Sequence, residues 1–96
     1  MSPLNKKKLN KIRFELDKLD NSLISLIKKR THLVKKVLTL KEKKKEIVDQ
    51  KRIRTILKNI KKKSLKNKID PKITHRIWSN MIQAYIDFEK RNFKKK

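Results

Sequence analysis

The chain has 96 residues, of which 31 are Lys or Arg and 9 are Asp or Glu, giving a formal charge of +22 with no glycine and no cysteine. A single domain of this size holds only a marginal core on its own, so association with another copy is expected. The missing glycine argues against phosphate loops and dinucleotide folds, and the missing cysteine excludes disulfides, thiolate metal sites and a thiol nucleophile. Two prolines and few aromatic or β-branched clusters favour an all-α protein.

The opening Met1-Ser2-Pro3-Leu4-Asn5-Lys6 lacks the apolar run of a secretory signal, and no stretch approaches the ~18 apolar residues of a membrane span. A cytoplasmic protein without a membrane partner is expected. The charge invites nucleic acid, because Lys and Arg neutralise phosphates and release counterions. Yet the lysines are spread from Lys6–Lys8 to Lys94–Lys96, and abundant Lys, Asn and Ile is also what an AT-rich coding bias produces without any partner.

The first element is one long helix, starting between Leu4 and Asn10 with Asn5 as a candidate cap, and ending near Lys41 or Glu42. Leu9, Ile12, Leu16, Leu19, Leu23, Leu26, Arg30, Leu33, Val37 and Leu40 follow alternating steps of three and four without a slip, which keeps one helix face turned towards partner helices. Its core portion is ~50 Å long, more than the remaining chain can cover, so the seam calls for a second copy. Arg30 sits where a leucine belongs. A guanidinium keeps its proton, and an unpaired charge in a packed seam is costly, so Arg30 requires an anion from the protein or from a ligand. Lys41 lies eleven residues on, about 20° away in azimuth and ~16 Å along the axis.

Lys43-Lys44-Lys45 reads as a turn or loop. A second helix is predicted from Glu46 or Ile47 to about Lys61, with Ile53, Ile56, Leu57 and Ile60 as its apolar stripe and Asp49 in its first turn. Asp49 and Arg52 share or border the inward face. Ser64 to Lys68 reads as a polar connection, and Asp70-Pro71 then combines an N-cap acceptor with a proline at the first helical position. The third helix is expected to run to about Asn92, its inward stripe being Trp78, Ile82, Tyr85 and Glu89, flanked by Met81 and Phe88. Aromatic residues on an inward stripe offer no stacking surface, which makes a nucleic-acid partner unlikely. His32 and His75 lack metal spacing, and Ser22, Ser25 and Thr31 have no base at a useful distance, so none is assigned chemistry.

Arg13-x6-Asp20, the heptad run to Arg30, Lys41 eleven later, Asp49-x2-Arg52 and the helix opening at Asp70-Pro71 resemble the all-helical chorismate mutase domain. The resemblance spans about Leu9 to Asn92 and implies one domain, residues 1–96, with a core of about 9–92 and disordered basic ends. It implies three-helix chains intertwined as a homodimer around their long first helices, with shared active sites and no cofactor. The implied substrate is a small dicarboxylate, chorismate, rearranged to prephenate in aromatic amino acid biosynthesis. By that analogy Arg30 and the partner subunit's Arg13 clamp the carboxylates and Lys41 donates to the ether oxygen. Arg52 and Asp49 frame the pocket, with Asp49 near the substrate hydroxyl.

Three positions depart from the commonest bacterial pattern of the family. Ile53 stands where many members carry glutamate, Tyr85 replaces a small polar residue, and Glu89 stands where bacterial members usually have glutamine and fungal members glutamate. Ile53 and Tyr85 look like the related isochorismate pyruvate lyases, which give salicylate and pyruvate from isochorismate; Asp49 is the mutase-like choice. An ionised carboxylate only accepts hydrogen bonds, so Glu89 must be protonated to donate to the ether oxygen. In that role, activity is expected to fall as pH rises through Glu89's titration.

Overall fold

The structure, a computed structural model, describes residues 1–94. It contains α1 (Pro3–Leu40), a 3-10 turn (Lys44–Ile47), α2 (Gln50–Lys66) and α3 (Pro71–Asn92), and no strand among the described residues. The protein is all-α with three helices, as expected. Its residues group into two units, Met1–Val34 and Lys35–Lys96, each described by itself.

The first unit is the greater part of α1. The helix starts earlier than the apolar periodicity suggests, because Ser2 and Pro3 form its entry. The Ser2 hydroxyl accepts from the Asn5 amide at 3.2 Å and the Ser2 carbonyl from the Lys6 amide at 2.9 Å. Ser2 is therefore the cap and Asn5 the donor, with Pro3 at the first helical position, where its missing N–H costs nothing. Lys6–Lys8 are helical, whereas Lys95 and Lys96 lie outside the described residues. No residue of α1 is buried within the chain: Ile12, Leu16, Leu19, Leu23 and Leu26 are all more than half exposed.

The second unit begins with the last residues of α1. The Lys41 amide donates to the Leu38 carbonyl at 3.2 Å, a tightened final turn that stops the helix. Lys43 then bends into the 3-10 turn, where its amide donates to Glu46 Oε1 at 3.0 Å. Helix α2 starts three to four residues later than the sequence suggests. Val48 and Asp49 are extended, and Asp49 Oδ1 accepts from the Arg52 amide at 3.0 Å, so Asp49 is the N-cap and not a first-turn residue.

Helix α2 also ends later, at Lys66 instead of about Lys61. The lysine run does not terminate it, because Ile60 and Ser64 keep the inward register one turn apart while Lys61, Lys62 and Lys63 stay exposed. Ser64 is buried. Its hydroxyl bonds the Ile60 carbonyl at 2.6 Å and Thr74 Oγ1 at 2.6 Å, fastening α2 to α3. Asp70 caps α3 as expected, its Oδ1 accepting from the Lys72 amide at 2.9 Å ahead of Pro71.

Helix α3 packs on α2 and on the 3-10 turn. Among the described residues the buried apolar side chains are Ile47 and Ile86, with Ile53, Ile56, Leu57, Ile60, Trp78 and Ile82 half-buried around them. Between α2 and α3 the chain reverses through Lys68 at φ 57, the left-handed region, and the Ile69 amide returns to the Ser64 carbonyl at 2.9 Å. Glycine normally fills such a helix exit, because any Cβ crowds the following carbonyl. Lys68→Gly is expected to raise stability by about 0.5–1 kcal/mol in urea unfolding at fixed protein concentration; unchanged or lowered stability contradicts this account of the turn.

Candidate active site

In the first unit, α1 carries Arg13, exposed, and Arg30, half-buried at its seam position. The seam residues that flank Arg30, Leu26 and Leu33, are leucines, whereas Arg13 lies off the seam. A guanidinium there presents a rigid fork of donors suited to a carboxylate.

In the second unit, α3 brings a buried acid to the residue that follows α1. Lys41 Nζ donates to Glu89 Oε1 at 2.9 Å, across 48 positions of sequence. The Glu89 side chain is 8% exposed and that of Lys41 17%, so the acid lies deeper than the ammonium. Helix α3 places Glu89 there because Ile82, Ile86 and Glu89 recur at i, i+4 and i+7, the spacing of a single inward stripe. The ammonium can engage one proton on Glu89 and still present two donors.

The remaining sequence-selected residues of this unit lie on α2, its cap and α3. Asp49 and Arg52 are exposed and joined through the cap of α2, where the Asp49 carboxylate meets the Arg52 amide and not its guanidinium. Ile53 is half-buried and lines an α2–α3 groove together with Leu57, Ile82 and Ile86. Tyr85 is half-buried on α3, one turn ahead of Glu89. Of the eight candidates, the structure thus joins Lys41 with Glu89 by side chains and Asp49 with Arg52 by a backbone bond.

The family model for chorismate mutase type II matches residues 12–90, from the second turn of the seam to one residue past Glu89. The chain belongs to the chorismate mutase type II family. No match was found among curated proteins or among solved structures. Arg13, Arg30, Lys41, Asp49, Arg52, Ile53, Tyr85 and Glu89 all fall inside the chorismate mutase match. Among the described residues no helix is long and apolar enough to cross a membrane.

Ile86 joins Ile82 and Glu89 on the inward stripe and is buried, a position the sequence marks by spacing alone, beside the bulkier Trp78–Tyr85 line. The 2.9 Å bond to Lys41 gives Glu89 a partner from the protein itself.

A charge held in so dry a place depends on its counter-charge. Lys41→Met or Glu89→Leu alone is expected to cost about 1–3 kcal/mol, and the double variant less than the two single costs combined. Urea unfolding of the four proteins checks this; strictly additive costs contradict the pairing.

Proposed function

We propose that this chain is a chorismate mutase that works as a homodimer, with each active site drawing side chains from both copies. The observation that carries it is the half-buried Lys41 ammonium, bonded to a buried acid within a chain whose family match runs over residues 12–90, from within the first helix to within the third. Chorismate carries two carboxylates and a breakable ether. Arg30 forks one carboxylate and the partner subunit's Arg13 the other, fixing the substrate in the folded conformer in which the two reacting carbons meet. The ether C–O bond then breaks as the new C–C bond forms, with no proton transferred and no covalent link to the protein. Negative charge grows on the ether oxygen, and the Lys41 ammonium is the donor aimed at it. Positioning and fixed electrostatics of this kind need no nucleophile. Asp49, with one oxygen engaged by the Arg52 amide, has acceptor capacity left for the substrate hydroxyl, and Arg52 borders the same edge.

Pairing of two copies is supported by the α1 seam. Leu19, Leu23, Leu26 and Leu33 are 61%, 54%, 58% and 58% exposed in the protomer, and covering each contributes roughly 1 kcal/mol. The second reading is isochorismate pyruvate lyase, favoured by the half-buried Ile53 and Tyr85. Incubation with chorismate and, separately, with isochorismate distinguishes the two: prephenate from the first supports the mutase, salicylate from the second alone supports the lyase, and neither product removes both. Arg30→Ala is expected to lower kcat/KM by roughly 100- to 1,000-fold. Leu23→Asp is expected to shift the dimer to monomer in sedimentation and to abolish activity together with it; an active monomer contradicts the shared site.

A further inference from the structure

A cavity of about 630 Å³ lies between α2 and α3 beside their connecting turn, lined by Leu57, Lys58, Lys61, Pro71, Lys72 and His75. None of these six is assigned to the chorismate site. We infer that the cavity binds a nucleoside polyphosphate, with the phosphates on Lys58, Lys61 and Lys72 and the ring on Leu57, Pro71 and the face of His75.

The phosphate half rests on charge. Lys58 and Lys61 are three apart on α2, a spacing at which like charges repel, and Lys72 stands in the first turn of α3, where the helix dipole disfavours a cation. Each helix thus sets cations at unfavourable places, and the fold gathers them at one hollow. No acid relieves them. Helix α2 contains no Asp or Glu, and those of α3, Asp87 and Glu89, sit near its far end, bonded to Gln83 and Lys41. Asp70 is closest in sequence, but it caps α3: its side chain accepts from the Lys72 amide and its carbonyl from the Ile73 amide. Those amides are thereby used, so the lysine side chains, and not the helix end, are what the cavity offers to an anion. Among the described residues the three lysines form no ion pair.

The ring half rests on shape. A hollow of this volume suits a whole small molecule, and a lone phosphate leaves most of it empty. Its half-buried walls, Leu57 and Pro71, bear no charge, and the exposed His75 ring lies with Nε2 3.5 Å from Ser79 Oγ, one turn on. A planar heterocycle laid on these walls shields them from water while its phosphates stay at the exposed lysines. A strand of nucleic acid fits less well, because it follows an extended track, whereas these cations close round one hollow. The cavity also keeps clear of the surface that has reason to pair. On α3, Ile73, Ile77, Met81 and Phe88 share one side, with both isoleucines exposed, and Lys72 and His75 fall on nearly the opposite side.

Calorimetric titration of the intact protein with ATP, inorganic triphosphate and adenosine, without magnesium and at about 150 mM salt, tests this. ATP is expected to bind saturably, inorganic triphosphate about tenfold more weakly, and adenosine not at all. Lys58→Ala, Lys61→Ala and Lys72→Ala combined, with the fold checked by circular dichroism, are expected to raise the ATP Kd roughly 10- to 100-fold. Lys6→Ala, Lys7→Ala and Lys8→Ala combined remove equal charge from exposed positions of α1 and are expected to shift it less than about threefold. His75→Ala is expected to weaken ATP several-fold and to leave triphosphate unchanged. Equal losses in the two triple variants reduce the binding to diffuse attraction by a chain of charge +22 and overturn the inference. So does triphosphate binding as tightly as ATP, the absence of saturable ATP binding, or a single-stranded oligonucleotide that binds where ATP does not. Prephenate formation enters none of these outcomes, so failure here and failure of the mutase proposal are separate results.

Discussion

A 38-residue helix that buries none of its own residues within the chain is the constraint on which the molecule turns. Its leucines repeat at heptad spacing, so they form one continuous stripe, and water is a poor neighbour for such a stripe. The rest of the chain cannot relieve this. Unit two uses its apolar stripes on α2 and α3 for its own small core around Ile47 and Ile86. That imbalance supports the proposed pairing with a second copy, and the proposed site draws on both copies. Arg30 interrupts the stripe at one point, and the proposed function rests on that interruption.

The second organising contact is the ion pair beyond the end of α1. Lys41 leaves the helix through a tightened turn and meets Glu89 from α3, 48 residues further on. Partly desolvated charges of this sort give little net stability compared with an apolar pair, and their value lies in fixing geometry. That suits a reaction in which the protein makes no bond to the substrate and has only to hold a conformer and offer a donor. Among the described residues the other lysines are exposed, including those on the outer side of α2, where Lys61–Lys63 ride on a helix whose inner side stays apolar.

Much of this was legible in the residues alone. The heptad seam, the all-helical class, the Asp70-Pro71 entry to α3 and the inward placement of Glu89 all rest on local chemistry or on periodicity over many turns, which leave strong marks. The limits of α2 were not legible in the same way. A run of three lysines looks like a terminator until Ser64 is seen to be buried through bonds to Ile60 and Thr74, a tertiary contact that no local pattern announces. Glu46 and Ile47 look helical by spacing, but the Asp49 cap competes for the chain and sets the start of α2 three to four residues on, at Gln50 and after an extended Val48. Ser2, a single polar residue ahead of a proline, caps α1 in place of Asn5, because the helix begins before the apolar periodicity that marks it in the sequence. Of the candidate site, Lys41 and Glu89 came together, whereas Asp49 and Arg52 met through the backbone cap and not by their side chains.

Shared sites are the central claim, and subunit complementation tests it most directly. Arg13→Ala and Arg30→Ala proteins are each purified, then unfolded and refolded together in equal amounts, and prephenate formation is measured. If Arg30 acts with the partner subunit's Arg13, each mixed dimer carries one intact site, and random pairing restores roughly a quarter of the wild-type rate from two nearly inactive parents. A mixture no more active than the mean of its parents would show that each copy works with its own two arginines and would contradict the shared site.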